Sequence, residues 1–343
     1  MELKNYESAM SQWQGRTDSE TDYDSFRWHQ WVQELDLNKD NEPFEGPQGF
    51  CIIGFCSEQG VQRNKGRVGA ALAPDFIRRH MGNLPCTFQN SVKLFDAGNI
   101  LCQEITMEEG QRQLGGAVKK ILDLNLFPIV LGGGHETTFG HYQGQLGHEL
   151  ENNAKPDLGI VNFDAHFDLR PYDVKPSSGS MFRQIADICS EKGIKYGYLP
   201  MGIQKHSNTV SLFKTADALG VKYVLAKDIR NASLADILEK VDTFTYSHDK
   251  VYLTVCTDVF SSAFAPGVSA PQATGLDPEL VLPIIKHIIR THKVCGFDIC
   301  EISPRFDQDD TTASLGAVIA FSVVNTICKL KNLAVITETD MFS

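Results

Sequence analysis

From residue 49 onward, short apolar and β-branched runs alternate with longer stretches whose apolar residues recur at helical spacing. The strand-like runs are GFCIIGFC (49–56), VKLFDAGNI (92–100), FPIVLGGG (127–134), LGIVNFDAH (158–166), YGYLPMGI (196–203), VKYVLAK (221–227), VYLTVCTDV (251–259), VCGFDICEI (294–302) and LAVITET (333–339). The helical stretches include residues 107–124, 278–292 and 312–332, the last preceded by Asp309, Asp310 and Thr311 as its expected caps. Strands apolar on both faces and interleaved with helices predict a mostly parallel central sheet covered on both sides, a three-layer α/β/α architecture. In such sheets ligands bind beyond the carboxyl ends of the strands. No repeat or obvious linker interrupts residues 48–343, so one domain is expected there.

Residues 1–47 break the pattern. They are polar and acidic, yet hold all three tryptophans, Trp13, Trp28 and Trp31. Aromatics at that density predict an arm packed on the body, or one lining a site or interface. The net charge of -11 and the lack of a clustered basic stretch argue against a nucleic-acid partner. Nine scattered cysteines without a CxxC framework predict reduced thiols and a cytoplasmic setting. The opening MELKNYESAMSQWQ lacks the apolar core of a secretion signal, and no apolar run is expected to span a membrane.

Three strand ends carry the chemistry. Gly132-Gly133-Gly134-His135-Glu136 ends one run, and its glycines allow a tight turn before His135. Asp164, His166 and Asp168 alternate at the end of another, so on an extended backbone they would face one side. Cys256 and Asp258 end a third, before Phe264-Ala265-Pro266-Gly267. Carboxylates mixed with imidazole suit a borderline hard ion such as Mn²⁺. Several carboxylates at one point need cations to neutralise them, and a pair of ions would make water nucleophilic near neutral pH.

With those motifs the chain resembles the ureohydrolases, the arginase and agmatinase superfamily, over roughly residues 49–340. The likeness rests on GGGHE (132–136), DAHFD (164–168), CTDVFSSAFAPGVSAP (256–271) and DICEISP (298–304). It implies an arginase-like fold and a centre of two Mn²⁺ ions per chain held by His135, Asp164, His166, Asp168, Cys256 and Asp258. A homo-oligomer is also implied by the resemblance. Cys256 departs from the family, which usually has aspartate there. A second departure is the loop Ser177–Arg183, which lacks the histidine that arginases use to move protons.

Further likeness lies in WQGR (13–16), RWHQ (27–30), VQRNKGRVGA (61–70), Arg170 and APGVSAP (265–271). These point to the branch that hydrolyses N-formimidoyl-L-glutamate to L-glutamate and formamide. Such a small acidic substrate needs cationic anchors, and arginine forks are the natural ones. Arg170 is the first candidate, with Arg63, Arg67 and Arg183 behind it. By the resemblance, Glu301 would hold the amidine nitrogen, and Asp168 is the candidate to accept the proton of the activated water. The alternatives are a ureohydrolase acting on a guanidino acid, in the manner of guanidinobutyrase or agmatinase, or a non-catalytic scaffold with an impaired metal site.

Overall fold

The computed structural model describes residues 2–172 and 175–336. Its strands in chain order are β1 (Tyr6–Glu7), β2 (Gln33–Glu34), β3 (Gly49–Cys56), β4 (Lys93–Leu101), β5 (Phe127–Leu131), β6 (Leu158–Phe163), β7 (Gly197–Ile203), β8 (Val224–Leu225), β9 (Lys250–Cys256) and β10 (Val294–Cys300). They form one sheet in the order β1-β4-β3-β5-β10-β9-β6-β7-β8, with β2 also pairing β4. Only β1 runs antiparallel to its neighbour among these pairings. The sheet is therefore mostly parallel, with helices around it.

The helices are α1 (Trp28–Trp31), α2 (Gln59–Arg63), α3 (Ala73–Met81), α4 (Met107–Asp123), α5 (Thr137–Asn152), α6 (Met181–Lys192), α7 (Val210–Ala218), α8 (Ala226–Asn231), α9 (Leu234–Thr245), α10 (Pro278–Arg290) and α11 (Thr311–Leu330). Alternation along each strand sorts them into two layers. Phe50 and Ile52 of β3, with Ile129 and Leu131 of β5, join a cluster with apolar residues of α3, α9, α10 and α11. Cys51, Ile53 and Phe55 point the other way, onto Leu114, Val118 and Ile121 of α4. Ile160, Tyr198 and Tyr252 continue that second face beneath α5, α6 and α7. Two covered faces explain why the strands read as unbroken apolar runs.

Several boundaries differ from expectation. Residues 221–227 give only the two-residue β8, because from Ala226 the chain turns into α8. Of 333–339, Ala334 makes one bridge to Phe88, and residues 337–339 lie outside the described residues. α11 is not capped by the side chains of Asp309 or Asp310. Asp307 does it instead, accepting from the backbone N–H groups of Thr312 and Ala313 at 3.0 and 3.1 Å. α11 also overturns the expectation about apolar length, being long and apolar enough to cross a membrane. Here it packs against α3 and α10, with twelve residues buried.

The tryptophan-rich segment lies against the body. Trp28 is fully buried near Phe88 and Phe321, and its indole N–H donates to the Pro85 carbonyl at 3.1 Å. Trp31 donates to the Val92 carbonyl at 2.9 Å. Trp13 donates to Asp96 at 2.7 Å, and Asp96 in turn accepts from the buried Arg78 guanidinium. None of the residues lining the cavity described below comes from this segment.

Candidate metal centre

At the carboxyl ends of five adjacent strands, β3, β5, β10, β9 and β6, the loops enclose a cavity of about 300 Å³. Each strand sends in a different group. The turn after β5 brings His135, and its glycines are required by contact. A Cβ at Gly133 would collide with the Ser57 carbonyl, and one at Gly134 with the Glu136 carboxylate. Glu136 is fully buried and accepts from the Ser57 hydroxyl at 2.8 Å and the Gly60 N–H at 2.9 Å.

β6 stops at Phe163, so Asp164, His166 and Asp168 are not on an extended backbone. The chain bends there, and Asp168 adopts a left-handed φ of 49°. Convergence comes from this bend, which corrects the expectation of strand alternation. The bend is tied from three sides. Asn208 accepts from Phe167 N–H at 3.0 Å and donates to the Ala165 carbonyl at 2.8 Å. Tyr198 donates to the Phe167 carbonyl at 3.0 Å, and Asn162 donates to Asp164 at 3.2 Å. Likewise Cys256 ends β9, while Asp258 sits in a 3₁₀ turn, Thr257–Val259, rather than on the strand.

Two donor groups result, and Asp164 belongs to both. His135, Asp164 and Cys256 present ligand atoms within 4.8 Å of one another, as do Asp164, His166 and Asp258. Asp164 divides its oxygens between them: Oδ2 lies 3.1 Å from His135 Nδ1 and Oδ1 lies 3.4 Å from His166 Nδ1. Asp168 Oδ2 is 3.0 Å from His135 Nδ1, and Asp258 Oδ2 is 3.0 Å from His166 Nδ1. The far ring nitrogen of His135 meets the Thr254 hydroxyl at 3.1 Å, which fixes the ring with Nδ1 toward the carboxylates.

The electrostatics are those of a crowded site. Burial pushes the Asp168 carboxyl up, the Asp164 charge adds to that, and it reaches about 6. Burial pushes Asp164 up as well, but the two histidine rings outweigh it and hold the carboxyl below its ordinary range. Burial opposes charge on both rings, yet the aspartates raise His135 and His166 well above the usual imidazole value. The Cys256 thiol is pushed well up by burial and by four surrounding carboxylates, Asp164, Asp258, Glu301 and Asp168. Glu301, at a left-handed φ of 68°, accepts from His135 N–H at 2.8 Å, and burial together with Glu136 lifts its carboxyl to about 8. Imidazole and carboxylate donors converging in this way suit a divalent ion.

The arginines divide. Arg170 and Arg67 line the cavity. Arg67 is engaged there, donating to the carbonyls of Ser269 and Val268 at 3.0 and 2.6 Å and lying over Phe306. Arg63 does not line it. Its guanidinium grips Glu108 with both terminal nitrogens, at 2.5 and 3.1 Å. Arg183 is also outside, beside Asp187 at 3.5 Å and facing a neighbouring hollow. Expectation missed Asn64, Lys65, Ser178, Asn208 and Ser269, all of which line the cavity. Lys65 was within reach, since it sits in the same basic run as Arg63 and Arg67, at the end of α2. Ser178 comes from the histidine-free loop, whose Gly179 carbonyl accepts from Arg170 N–H at 2.9 Å.

Comparison with known proteins bears on the family and the fold. The model of the Arginase family matches residues 48–325. Formimidoylglutamase of Clostridium tetani is 58% identical over 323 residues, covering 94% of this chain and 96% of the relative. The enzyme of that name from Lysinibacillus sphaericus is 42% identical, covering 92% and 96%. Among solved structures, formimidoylglutamase of Bacillus subtilis superposes with a TM-score of 0.76 at 20% identity, over 88% of this chain and 92% of that one. The structure of Trypanosoma cruzi formiminoglutamase with Mn²⁺ gives 0.73 at 24% identity, over 82% and 94%. A strand-end metal-type site on this sheet, with a family match across most of the chain, settles the kinship: the chain belongs to the arginase family.

Proposed function

We propose that the protein hydrolyses N-formimidoyl-L-glutamate to L-glutamate and formamide at a centre of two divalent ions, Mn²⁺ suiting the oxygen and nitrogen donors among its ligands. The observation that carries this reading is the pair of donor groups meeting at Asp164, in a cavity also lined by the exposed Lys65, Arg67 and Arg170. His135, Asp164, Asp168 and Cys256 would hold one ion, and Asp164, His166 and Asp258 the other. When bound, such ions supply a water made nucleophilic near neutral pH and stabilise developing negative charge. The curated relatives bearing the formimidoylglutamase name support the choice of substrate.

The chain's own residues do the rest. An amidine is planar and carries N–H donors, and Glu301, which lines the cavity, is the candidate to accept from its nitrogen. Asp168 lies beside the ligand atoms, where it can take a proton from water and hand it to the departing amine. Water adds to the formimidoyl carbon, and the bond from that carbon to the glutamate nitrogen breaks. Formamide and a free amino group result. The two substrate carboxylates find their counter-charges in these exposed residues, Arg170 foremost, with Lys65 and Arg67 beside it. Arg63 and Arg183 are left out of this role. The test is incubation with N-formimidoyl-L-glutamate, with and without Mn²⁺, measuring formamide. Release of urea from a guanidino acid, with no formamide, would overturn the choice of substrate.

Arg170→Gln should raise KM by about tenfold or more with little change in kcat, as expected if a charged hydrogen bond worth about 1.5–3 kcal/mol is lost on binding. Steady-state kinetics with the intact substrate will show it, and an unchanged KM would remove Arg170 from the substrate site.

The pH dependence of metal binding has a definite sign. In the metal-free chain the aspartates raise both His135 and His166 above the ordinary imidazole value, which favours the protonated rings. An ion must displace those protons. Mn²⁺ affinity should therefore fall as pH is lowered through the neutral range and rise as pH increases, with protons released on binding. Calorimetry in buffers of different ionisation enthalpy measures both quantities. Equal affinity across that range would contradict the assignment of the histidines.

A further inference from the structure

The donor groups that meet at Asp164 are chemically unlike. One contains a sulfur: His135, Asp164 and Cys256, with Asp168 Oδ2 3.0 Å from His135 Nδ1. The other has only nitrogen and oxygen, from Asp164, His166 and Asp258. Cys256 is not a core residue that happens to be near. It is buried but lines the cavity with the other donors. Cys300, its register partner on β10, is also buried and does not line the cavity, its sulfur lying 3.6 Å from Asp298.

A carboxylate offers two hard oxygens, whereas a thiolate offers one soft, polarisable sulfur. Replacing one by the other leaves the two positions with different appetites. Thiolates favour zinc, cobalt and iron, and divalent manganese binds most weakly in the series at nearly any nitrogen, oxygen or sulfur site. A four-donor set of one nitrogen, two oxygens and one sulfur is also of the kind that holds zinc tetrahedrally.

We propose that the centre is asymmetric: the position of His135, Asp164, Asp168 and Cys256 takes a thiophilic divalent ion through the Cys256 sulfur in preference to Mn²⁺, while the position of Asp164, His166 and Asp258 takes a harder ion such as Mn²⁺. This rests on the reading of the site as a two-ion centre. Binding at the first position converts the thiol to a metal thiolate and releases its proton. That position fills first and holds its ion more tightly, and the second exchanges.

The experiment is titration of the metal-free full chain with Co²⁺, following the near-ultraviolet charge transfer from thiolate to cobalt, with bound metal counted after dialysis. The band should grow over the first equivalent and gain nothing from the second. Zn²⁺ should erase it at one equivalent, and Mn²⁺ should not. Cys256→Asp should bind two equivalents with no band, which excludes the other cysteines as its source. Two equivalents bound to the unaltered chain without a band would show that the sulfur is no ligand, leaving the two-ion centre standing and the asymmetry refuted. Erasure by Mn²⁺ as readily as by Zn²⁺ would refute the preference. Failure of the chain to hold any divalent ion would instead overturn the metal centre itself.

Discussion

Asp164→Asn should leave the protein folded, unable to retain either divalent ion through dialysis, and nearly inactive. Asp164 is the one side chain shared by both donor groups, and it gives one oxygen to each. Asparagine has the same shape, and its carbonyl oxygen can keep the 2.7 Å acceptance from His166 N–H. The other atom becomes an N–H₂ group facing His135 and Asn162, where it can ligate nothing. If the ions together stabilise the transition state by about 5 kcal/mol, turnover falls on the order of 10⁴-fold. Metal content after dialysis, far-ultraviolet circular dichroism and formamide release are the three readings. A variant with normal fold and full metal content would show that Asp164 is not the shared ligand.

The second large effect lies away from the chemistry. Arg78 is completely buried and donates to Asp96 at 2.6 and 3.1 Å, to Asn99 at 2.7 Å and to the Gly98 carbonyl at 2.8 Å. Arg78→Met removes the guanidinium paired with a carboxylate that has no access to water. Breaking one side of such a pair costs about 3–5 kcal/mol, because the surviving charge stays buried. The denaturant midpoint should drop accordingly, with activity per folded molecule retained. Adding Asp96→Leu should recover part of the loss, leaving the cost of the hydrogen bonds from Trp13 and Gly98 to Asp96. If Arg78→Met alone were harmless, the pair would carry no stability.

The kinds of residue in the site were legible in the sequence, and their geometry was not. A histidine after three glycines and a run of Asp-x-His-x-Asp have few uses other than ligation, so His135, Asp164, His166 and Asp168 could be picked out by chemistry. How they converge could not. An alternating triplet suggests an extended strand, but the bend after Phe163 depends on Asn208 and Tyr198, more than thirty residues downstream. Arginines could be nominated only by type. Arg63 has its partner in Glu108 and Arg183 in Asp187, and the first of these pairings spans 45 residues. Lys65 and Asn64 were passed over because neither lysine nor asparagine is the expected fork for a carboxylate. The layers themselves were readable, because burial on both faces of a parallel sheet leaves an unbroken apolar signature. Short elements such as β8, and the capping of α11 by Asp307 rather than its nearer neighbours, turn on local hydrogen bonds that a hydropathy pattern does not carry.

The bond from Trp13 to Asp96 closes a loop of 83 residues. During synthesis the start of the chain therefore leaves the ribosome long before its acceptor exists. Three indole rings must wait in water until β4 has been made and laid beside β3. For that interval the nascent chain exposes aromatic surface that the finished fold buries.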